Sequence, residues 1–524
     1  MSGLPAHLLS LLKPEAYPHP VATVRLIETH ISWVLLTGEF AYKLKRPVQY
    51  PFIDLRSAER RAFFCAEEVR LNRRFAPELY LEVCNVTASD GQVRMAGEGQ
   101  VIEHAVRMRQ FECEDGLDCL LATGRVEPRE LEVFGRDLAA IHARLPVAQG
   151  PQDWGRPANV RALLLENVTQ CVKLSAALGT HSEVRALSAP YTLLLDAADP
   201  WIAIRRQEGR VRECHGDLHS RNVVRYEGRL IAFDCIDFEP AFRWIDVAEE
   251  VAFLLMDLDA RHAPLHGQAF LAGYLAQSGD YQACRLLRLY QIHRALVRAK
   301  VTALEASSAS QPSAREGAVE QHKGYLECVR RLLTPKRPTL LLMSGLSGSG
   351  KTWLANQLAP LLGAVHVRSD VERKRLAGLT EHERSRSAVE QGLYSRESSG
   401  RVYEHLAQCA DDALAGGYIV IVDATFHRRE DRARFQRLAA ERGVDLRLIH
   451  CHAPKGLLEA RIAERGRAQA DASEADLSVL EWQASHHEPI GAEEGLTVID
   501  ADTTRATVVS DVYSEALAAR IRNT

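Results

Sequence analysis

No Cys-x-x-Cys pair occurs among the eleven cysteines, which are scattered along the 524 residues. A zinc site or a disulfide scaffold needs closer, repeated spacing, so these read as buried free thiols in a reducing compartment. No apolar stretch reaches the roughly 18 residues that cross a bilayer as a helix, which argues against a membrane span. Basic charge is not in excess either. The net charge of −4 disfavours nonspecific nucleic-acid binding. The opening MSGLPAHLLSLLKPEAYPHP lacks a basic leader and carries only a short apolar run, so it does not read as a secretory signal. Internal repeats and long low-complexity tracts are missing too. A soluble, cytoplasmic protein is the expectation. Hydrophobic residues make up 46% and charged residues 26%, which is ordinary for a globular chain. The length exceeds what one core organises, so two or three domains are expected.

The rhythm of the chain changes near Pro335. Before it, WVLLTGEFAYKLKRPV predicts two strands around the turn Thr37-Gly38, and SAERRAFFCAEEVRLNRRF predicts a helix. LYLEVCNVTASDGQVRMAG and VIEHAVRMRQF supply further strands, with Asp90-Gly91 a hairpin signal. Helical periodicity then dominates, except for a strand-rich patch from Val211 to Phe238. TPKRP sets prolines on both sides of two basic residues just ahead of an apolar strand, which marks a boundary. Beyond it, TLLLMSG, AVHVRSD, YIVIVDA, DLRLIHC and LTVIDAD alternate with helical segments. That alternation predicts a parallel sheet wrapped by helices. The expected domains are 1–334 and 335–524.

GLSGSGKT fits Gly-x-x-x-x-Gly-Lys-Thr, follows the apolar strand TLLLM and opens the helix KTWLANQLAPLL. In that context Gly345, Gly348, Ser349 and Gly350 would wrap phosphates with backbone N–H groups at a helix amino terminus. Lys351 would reach the β and γ phosphates, and the Thr352 hydroxyl would hold Mg²⁺. Asp370, read as the end of the second strand, could orient an acceptor hydroxyl and take its proton. Asp423, ending the third strand, could bind Mg²⁺ or its water shell. Either aspartate could instead cap the next helix. Arg461 and Arg465 lie four residues apart on one helical face, with Arg467 just after. A mobile lid bearing these arginines would neutralise transition-state charge and exclude water; ordinary surface pairing with glutamates is the alternative. With these motifs, residues 339 to 524 resemble the small P-loop kinases of the group containing polynucleotide kinase, gluconate kinase and zeta-toxin-like enzymes. The resemblance implies that the phosphate loop, Asp370 and the lid arginines carry a phosphoryl transfer. It implies no acceptor, because such enzymes phosphorylate very different alcohols.

A second, unrelated string sits earlier in the chain. In CHGDLHSRNVVRYEGRLIAFDCIDF, Asp217 and Asn222 are five residues apart and Asp234 follows 17 after Asp217. Phosphoryl transfer needs one carboxylate to hold the attacking hydroxyl and oxygen ligands to hold Mg²⁺ on the phosphates. Asp217 is the candidate base, and Asn222 and Asp234 are the candidate metal ligands. The string resembles the aminoglycoside phosphotransferase family, relatives of protein kinases, whose His-Gly-Asp-x-x-x-x-Asn loop matches His215, Gly216, Asp217 and Asn222. The resemblance favours Asp234 over Asp237 for the metal, on its twelve-residue interval to Asp246. It gives Asp246 a structural role, bracing the catalytic loop. AYKLK sets Ala41, Lys43 and Lys45 on one strand face; Lys43 is the candidate for the ATP phosphates, with Glu68 or else Glu67 as its partner. EHAVRMRQF is read as the connection between lobes, offering backbone groups to adenine near Val106 to Met108. His219 reads as a hydrogen-bonding core residue. Substrate clues conflict. Asp246, Glu250 and Asp257 could receive a cation, while Arg294 and Arg298 could grip an anion.

The expected architecture is thus an α+β, bilobal, protein-kinase-like domain followed by an α/β P-loop domain with a parallel sheet. The expected activity is a bifunctional, ATP- and Mg²⁺-dependent kinase acting on a hydroxyl-bearing small molecule. A nucleic-acid end kinase, suggested by Arg373, Lys374 and Arg375, is one alternative. A nucleotide-gated switch is another, in which one ATP site regulates the other. Neither the acceptor nor the oligomeric state is legible.

Overall fold

The computed structural model describes residues 4–50, 53–149, 154–381, 383, 396–468 and 473–522. By compactness the chain divides into two units: Met1–Glu130 with Asp137–Glu166 and Ile202–Leu258, and Leu131–Arg136 with Asn167–Trp201 and Asp259–Thr524.

The first unit is built on a six-stranded antiparallel sheet in the order Arg25–Glu28, Ser32–Leu36, Phe40–Lys45, Gln100–Arg109, Tyr80–Ser89, Gln92–Met95. Its period-2 alternation sorts side chains onto two faces. Phe40, Tyr42 and Leu44 join Leu8, Leu11 and Trp33 in one cluster. Ala41 faces the other way, with Val106, Met108 and the helix residues Cys65 and Val69. Lys43 and Lys45 share that second face, so they point toward helix Ala58–Asn72. Ser57 caps this helix by accepting from the Arg60 amide. Asp90 and Gly91 both take positive φ, 50° and 74°, as a two-residue hairpin requires. A second hairpin, Val223–Tyr226 with Arg229–Ala232, turns at Glu227 and Gly228 and buries Val224 and Ile231 in the Ala41 cluster. That packing carries the residues after Ala232 to the lysine-bearing face.

The second unit holds a five-stranded, wholly parallel sheet in the order Ala364–Arg368, Ile419–Asp423, Thr339–Ser344, Asp445–His452, Thr497–Asp502. The central strand TLLLMS is buried at every position, as a strand covered on both faces must be. Helices Pro264–Ser278 and Cys284–Ser308 pack in the same unit. Gln268 donates to the Ala364 carbonyl, and Arg285 reaches Asp411 and Asp412 of helix Arg396–Ala415, both at 2.5 Å. Compactness therefore groups these helices with the parallel sheet, although they precede Pro335 in the sequence. No helix among the described residues is long and apolar enough to cross a membrane.

Candidate active sites

In the first unit, Lys43 Nζ lies 2.8 Å from Glu68 Oε1 and 2.6 Å from Asp234 Oδ1. Glu67, the alternative partner, pairs with Arg70 and Arg243 instead. Lys45, which the sequence offered only as a neighbour, lies 2.6 Å from Glu68 Oε2 and 2.5 Å from Asp237 Oδ2. Two ammonium groups therefore face three carboxylates. Burial pulls the Lys43 ammonium down, but Asp234 and Glu68 outweigh it and hold it well above its ordinary range. Glu68 is pulled down to about 2 because both lysines overcome its burial. Asp237 moves the other way, raised by burial and then by Glu68 against the pull of Lys45.

The loop that carries Asp217 and Asn222 runs alongside. Asn222 Nδ2 donates to the Asp217 carbonyl at 2.9 Å and to Asp217 Oδ2 at 3.0 Å. With its nitrogen committed, Asn222 presents its oxygen. His215 Nε2 meets the Phe233 carbonyl at 2.8 Å, and the Phe233 amide donates to the Asn222 carbonyl at 2.9 Å. These bonds tie the residue before Asp234 to both ends of the loop. Asp234 itself adopts φ +66°, a left-handed conformation that aspartate tolerates better than most residues. Its amide donates to the Tyr80 hydroxyl at 3.1 Å. Its side chain remains 47% exposed, so it is the carboxylate of this cluster most open to a metal. An amide oxygen and an open carboxylate are hard-oxygen donors, which suit Mg²⁺.

Several readings change. The bracing role assigned to Asp246 belongs to Glu250, which is fully buried and accepts from the amides of His215 and Gly216 at 2.7 and 3.1 Å and meets His142 at 3.0 Å. Asp246 instead binds Arg205 through both oxygens, at 2.7 and 2.8 Å. Asp257 accepts from the amide and hydroxyl of Ser220. All three carboxylates are buried and committed within the protein, so none forms a face for a cationic substrate. Val106 to Met108 lie mid-strand, paired with Phe40–Lys45 on one side and Tyr80–Ser89 on the other, so their backbone groups serve the ladder and not an adenine. The strand expected over VIEHAVRMRQF is therefore present, and the reading of the same segment as a connection between lobes is the one that falls. Arg294 is buried in a helical core of the second unit, and Arg298 lies over the Tyr325 ring, so neither reads as an anion grip. His219 caps a short helix through the Arg221 amide and packs on Phe253, with Nε2 3.4 Å from Asp217.

The second unit builds its site at the carboxyl edge of the parallel sheet, beside the central strand, where such sheets bind ligands. Gly345, Gly348 and Gly350 all have positive φ. A Cβ on Gly345 would fall 2.2 Å from the Cys451 carbonyl, so the loop's close approach to the neighbouring strand needs glycine there. Helix Lys351–Leu362 starts at Gly350. Lys351 Nζ folds back onto the Gly345 and Leu346 carbonyls at 2.9 and 3.0 Å, and burial lowers its pKa. Thr352 Oγ1 donates to Asp423 Oδ2 at 2.6 Å. Burial would raise the Asp423 carboxyl, but His366, Lys351 and Thr352 hold it low and charged. A hydroxyl and an ionised carboxylate side by side fit Mg²⁺ and its water shell.

These residues open on a cavity of about 400 Å³ that Asp370, Arg461 and Arg465 also line. Asp370 does not end the strand; it sits in the first turn of helix Ser369–Leu376, two residues beyond Arg368. Arg461 donates to the Gly348 carbonyl at 3.2 Å and to Thr503 Oγ1 at 2.9 Å, and Arg465 to the Ala475 carbonyl at 2.9 Å. Arg467 is exposed and bonds back to its own helix. Residues 469–472 of the expected lid lie outside the described residues. Gln483, which accepts from the Ser347 amide at 2.9 Å, and Thr503 support the loop from parts of the sequence that carry no motif.

Family models match both parts of the chain. Residues 51–287 match the model of the phosphotransferase enzyme family, and residues 340–490 match that of an AAA domain of the P-loop kinase type. The chain therefore joins an aminoglycoside-phosphotransferase-like domain to a P-loop kinase domain. Among curated proteins it is similar to an uncharacterized protein of Mycobacterium tuberculosis, 29% identical over 476 residues, covering 89% of this chain and 93% of the relative. An uncharacterized protein of Mycobacterium bovis matches to the same extent, 29% over 476 residues. Among solved structures, a choline/ethanolamine kinase family protein from Mesorhizobium loti aligns with 62% of this chain and 98% of its own, at 12% identity and a TM-score of 0.35. A gluconokinase from Sinorhizobium meliloti aligns with 36% of this chain and 96% of its own, at 17% identity and a TM-score of 0.27.

Proposed function

We propose that the chain is a bifunctional, ATP-dependent kinase with one nucleotide site in each of two domains, 1–334 and 335–524, each phosphorylating a hydroxyl of a small molecule. The observation that carries the reading is the convergence of Lys43, Glu68 and Asp234 beside a loop holding Asp217 and Asn222, matched independently by the Lys351, Thr352 and Asp423 cluster. In the first site Lys43 binds the α and β phosphates, and Asn222 and Asp234 hold Mg²⁺. Asp217 orients the acceptor hydroxyl and receives its proton late, as the oxygen attacks the γ phosphorus and the bond to the β–γ bridging oxygen breaks, releasing ADP. In the second site the loop Gly345–Gly350 with Lys351 cradles the phosphates, Thr352 and Asp423 hold Mg²⁺, Asp370 orients the acceptor, and Arg461 and Arg465 meet the charge that develops on the γ phosphoryl group. Mg²⁺ bound at either site would neutralise charge on the β and γ phosphates.

A nucleic-acid end kinase draws little from the basic run after Asp370. Lys374 is buried on the Glu381 carbonyl, and Arg375 is bound to Glu372 and to the carbonyls of Ala276 and Gln277. The test uses labelled ATP and a metabolite extract with wild type, Asp217→Asn and Lys351→Ala. Each variant is expected to lose a different labelled product; identical products from all three proteins would refute two independent kinase sites.

A further inference from the structure

Helix Arg429–Arg442 follows the strand that ends at Asp423, and its start forms one wall of the P-loop cavity. The arginines around that wall fall into two groups. Arg432 is fully buried and donates to both oxygens of Glu494 at 2.7 Å and to the Phe426 carbonyl at 2.9 Å. Arg429 pairs with Glu493. Across the cavity, Arg461 and Arg465 are tied to carbonyls as described above. Arg428 and Arg434 differ. Both line the cavity and are partly buried, yet among the described residues neither guanidinium makes a hydrogen bond or an ion pair. Arg434 Nε is sealed from water without an acceptor. Between them lies Asp431, 8% exposed, also lining the cavity and also without a side-chain hydrogen bond or ion pair among the described residues.

A guanidinium presents five N–H donors in a rigid fork, and leaving such donors unmet in a partly buried place is costly. The groups whose oxygens match the fork are carboxylate and phosphate. A buried carboxylate between two such forks would repel a bare anion, but it suits a hydroxyl on the molecule that carries the anion. Lys351 and Asp370 line the same cavity, so a molecule held at this wall is within the chamber where phosphoryl transfer would occur. We propose that Arg428 and Arg434 bind an anionic group, carboxylate or phosphate, of the alcohol phosphorylated in the second domain, and that Asp431 accepts a hydrogen bond from a hydroxyl of that same molecule. The acceptor is then a hydroxy acid or a sugar phosphate, and not a neutral or cationic alcohol. The inference rests on the P-loop kinase reading of this domain.

The test is titration calorimetry on the full chain saturated with Mg²⁺ and a non-hydrolysable ATP analogue, with inorganic phosphate in one arm and glycolate in the other. At least one anion is expected to bind. Arg428→Gln and Arg434→Gln should each weaken it about tenfold or more, with affinity for the nucleotide analogue unchanged. Arg434→Lys, which keeps the charge but not the fork, should weaken it less. Arg437→Gln, an exposed arginine of the same helix, should bind as wild type does. Phosphate binding alone assigns a phosphate ester, and glycolate binding alone a carboxylate. Absence of an analogue site that Lys351→Ala abolishes would bring down the P-loop reading and the subsite with it. Analogue binding without either anion, or anion binding unaltered in both Gln variants, would overturn the subsite alone.

Discussion

Replacing Glu68 by Gln keeps the size of a fully buried side chain and removes its charge. Glu68 bridges Lys43 at 2.8 Å and Lys45 at 2.6 Å, and the pair hold its carboxyl near 2 against an ordinary 4.5. A depression of that size corresponds to about 3 kcal/mol at neutral pH. Because the folded-state pKa is depressed, this stabilisation is present above pH 4.5 and disappears as the pH falls toward 2. It is an upper limit, since Lys43 keeps Asp234 and Lys45 keeps Asp237 in the variant. Asp237 has the opposite sign. Burial and the nearby Glu68 raise its carboxyl despite Lys45, while Asp237 is also the strongest support of the Lys45 ammonium; the two effects oppose, so Asp237→Asn should change stability little. Amide hydrogen exchange at pH 7 through strand Phe40–Lys45 and helix Ala58–Asn72 reads the local stability directly. Glu68→Gln should speed exchange there by up to about a hundredfold. Asp237→Asn should leave it within about threefold. Equal acceleration in both variants, or none with Glu68→Gln, would refute this account of the charge cluster.

Gly345→Ala should abolish nucleotide binding by the P-loop domain and lower its melting temperature, because the new Cβ meets the Cys451 carbonyl at 2.2 Å from a φ of +138°; a variant that binds nucleotide normally would contradict the close approach. Burial raises the Asp431 carboxyl from 3.8 to about 6, so its ionisation destabilises the fold as pH rises from about 4 through 6. Asp431→Asn should therefore raise the thermal midpoint at pH 7 and leave it unchanged at pH 4; melting curves at the two pH values decide this. Glu250→Gln should slow phosphoryl transfer in the first domain, since the charged acceptor of the His215 and Gly216 amides is weakened. Its kcat should fall while nucleotide affinity holds, and a KM effect alone would speak against a loop-positioning role.

The parts legible in the sequence were those with a fixed local grammar. GLSGSGKT needs a strand before it and a helix after it, and both are present around Gly345 to Thr352. Asp217 and Asn222 sit on one tight loop, so their meeting required no knowledge of the rest of the chain. The pleat put Lys43 and Lys45 on one face, but it could not say that Glu68 would be shared between them or that Asp237 would take the second lysine. The contact of Lys45 with Asp237 joins side chains 192 residues apart. Glu250 shows the same limit. Helix periodicity marked it as lying on a face with Asp246 and Asp257, and only tertiary packing turned that face inward onto the loop that carries His215 to Asn222. Arg428, Asp431 and Arg434 carry no motif, and an arginine-rich helix start reads as solvated surface until the cavity beside it is seen.

The grip of Tyr281 and Arg285 on helices Ser369–Leu376 and Arg396–Ala415 has a practical corollary for dissecting the two halves. A fragment begun at Pro335 would contain every phosphate-loop residue and still lose the covering of Glu372, Asp411 and Asp412, together with the Cys284 backbone that closes over Gly416. Truncation there strips a finished surface rather than separating at a seam, so a carboxy-terminal piece that keeps these contacts, and that of Gln268 with Ala364, has to begin upstream of Pro264.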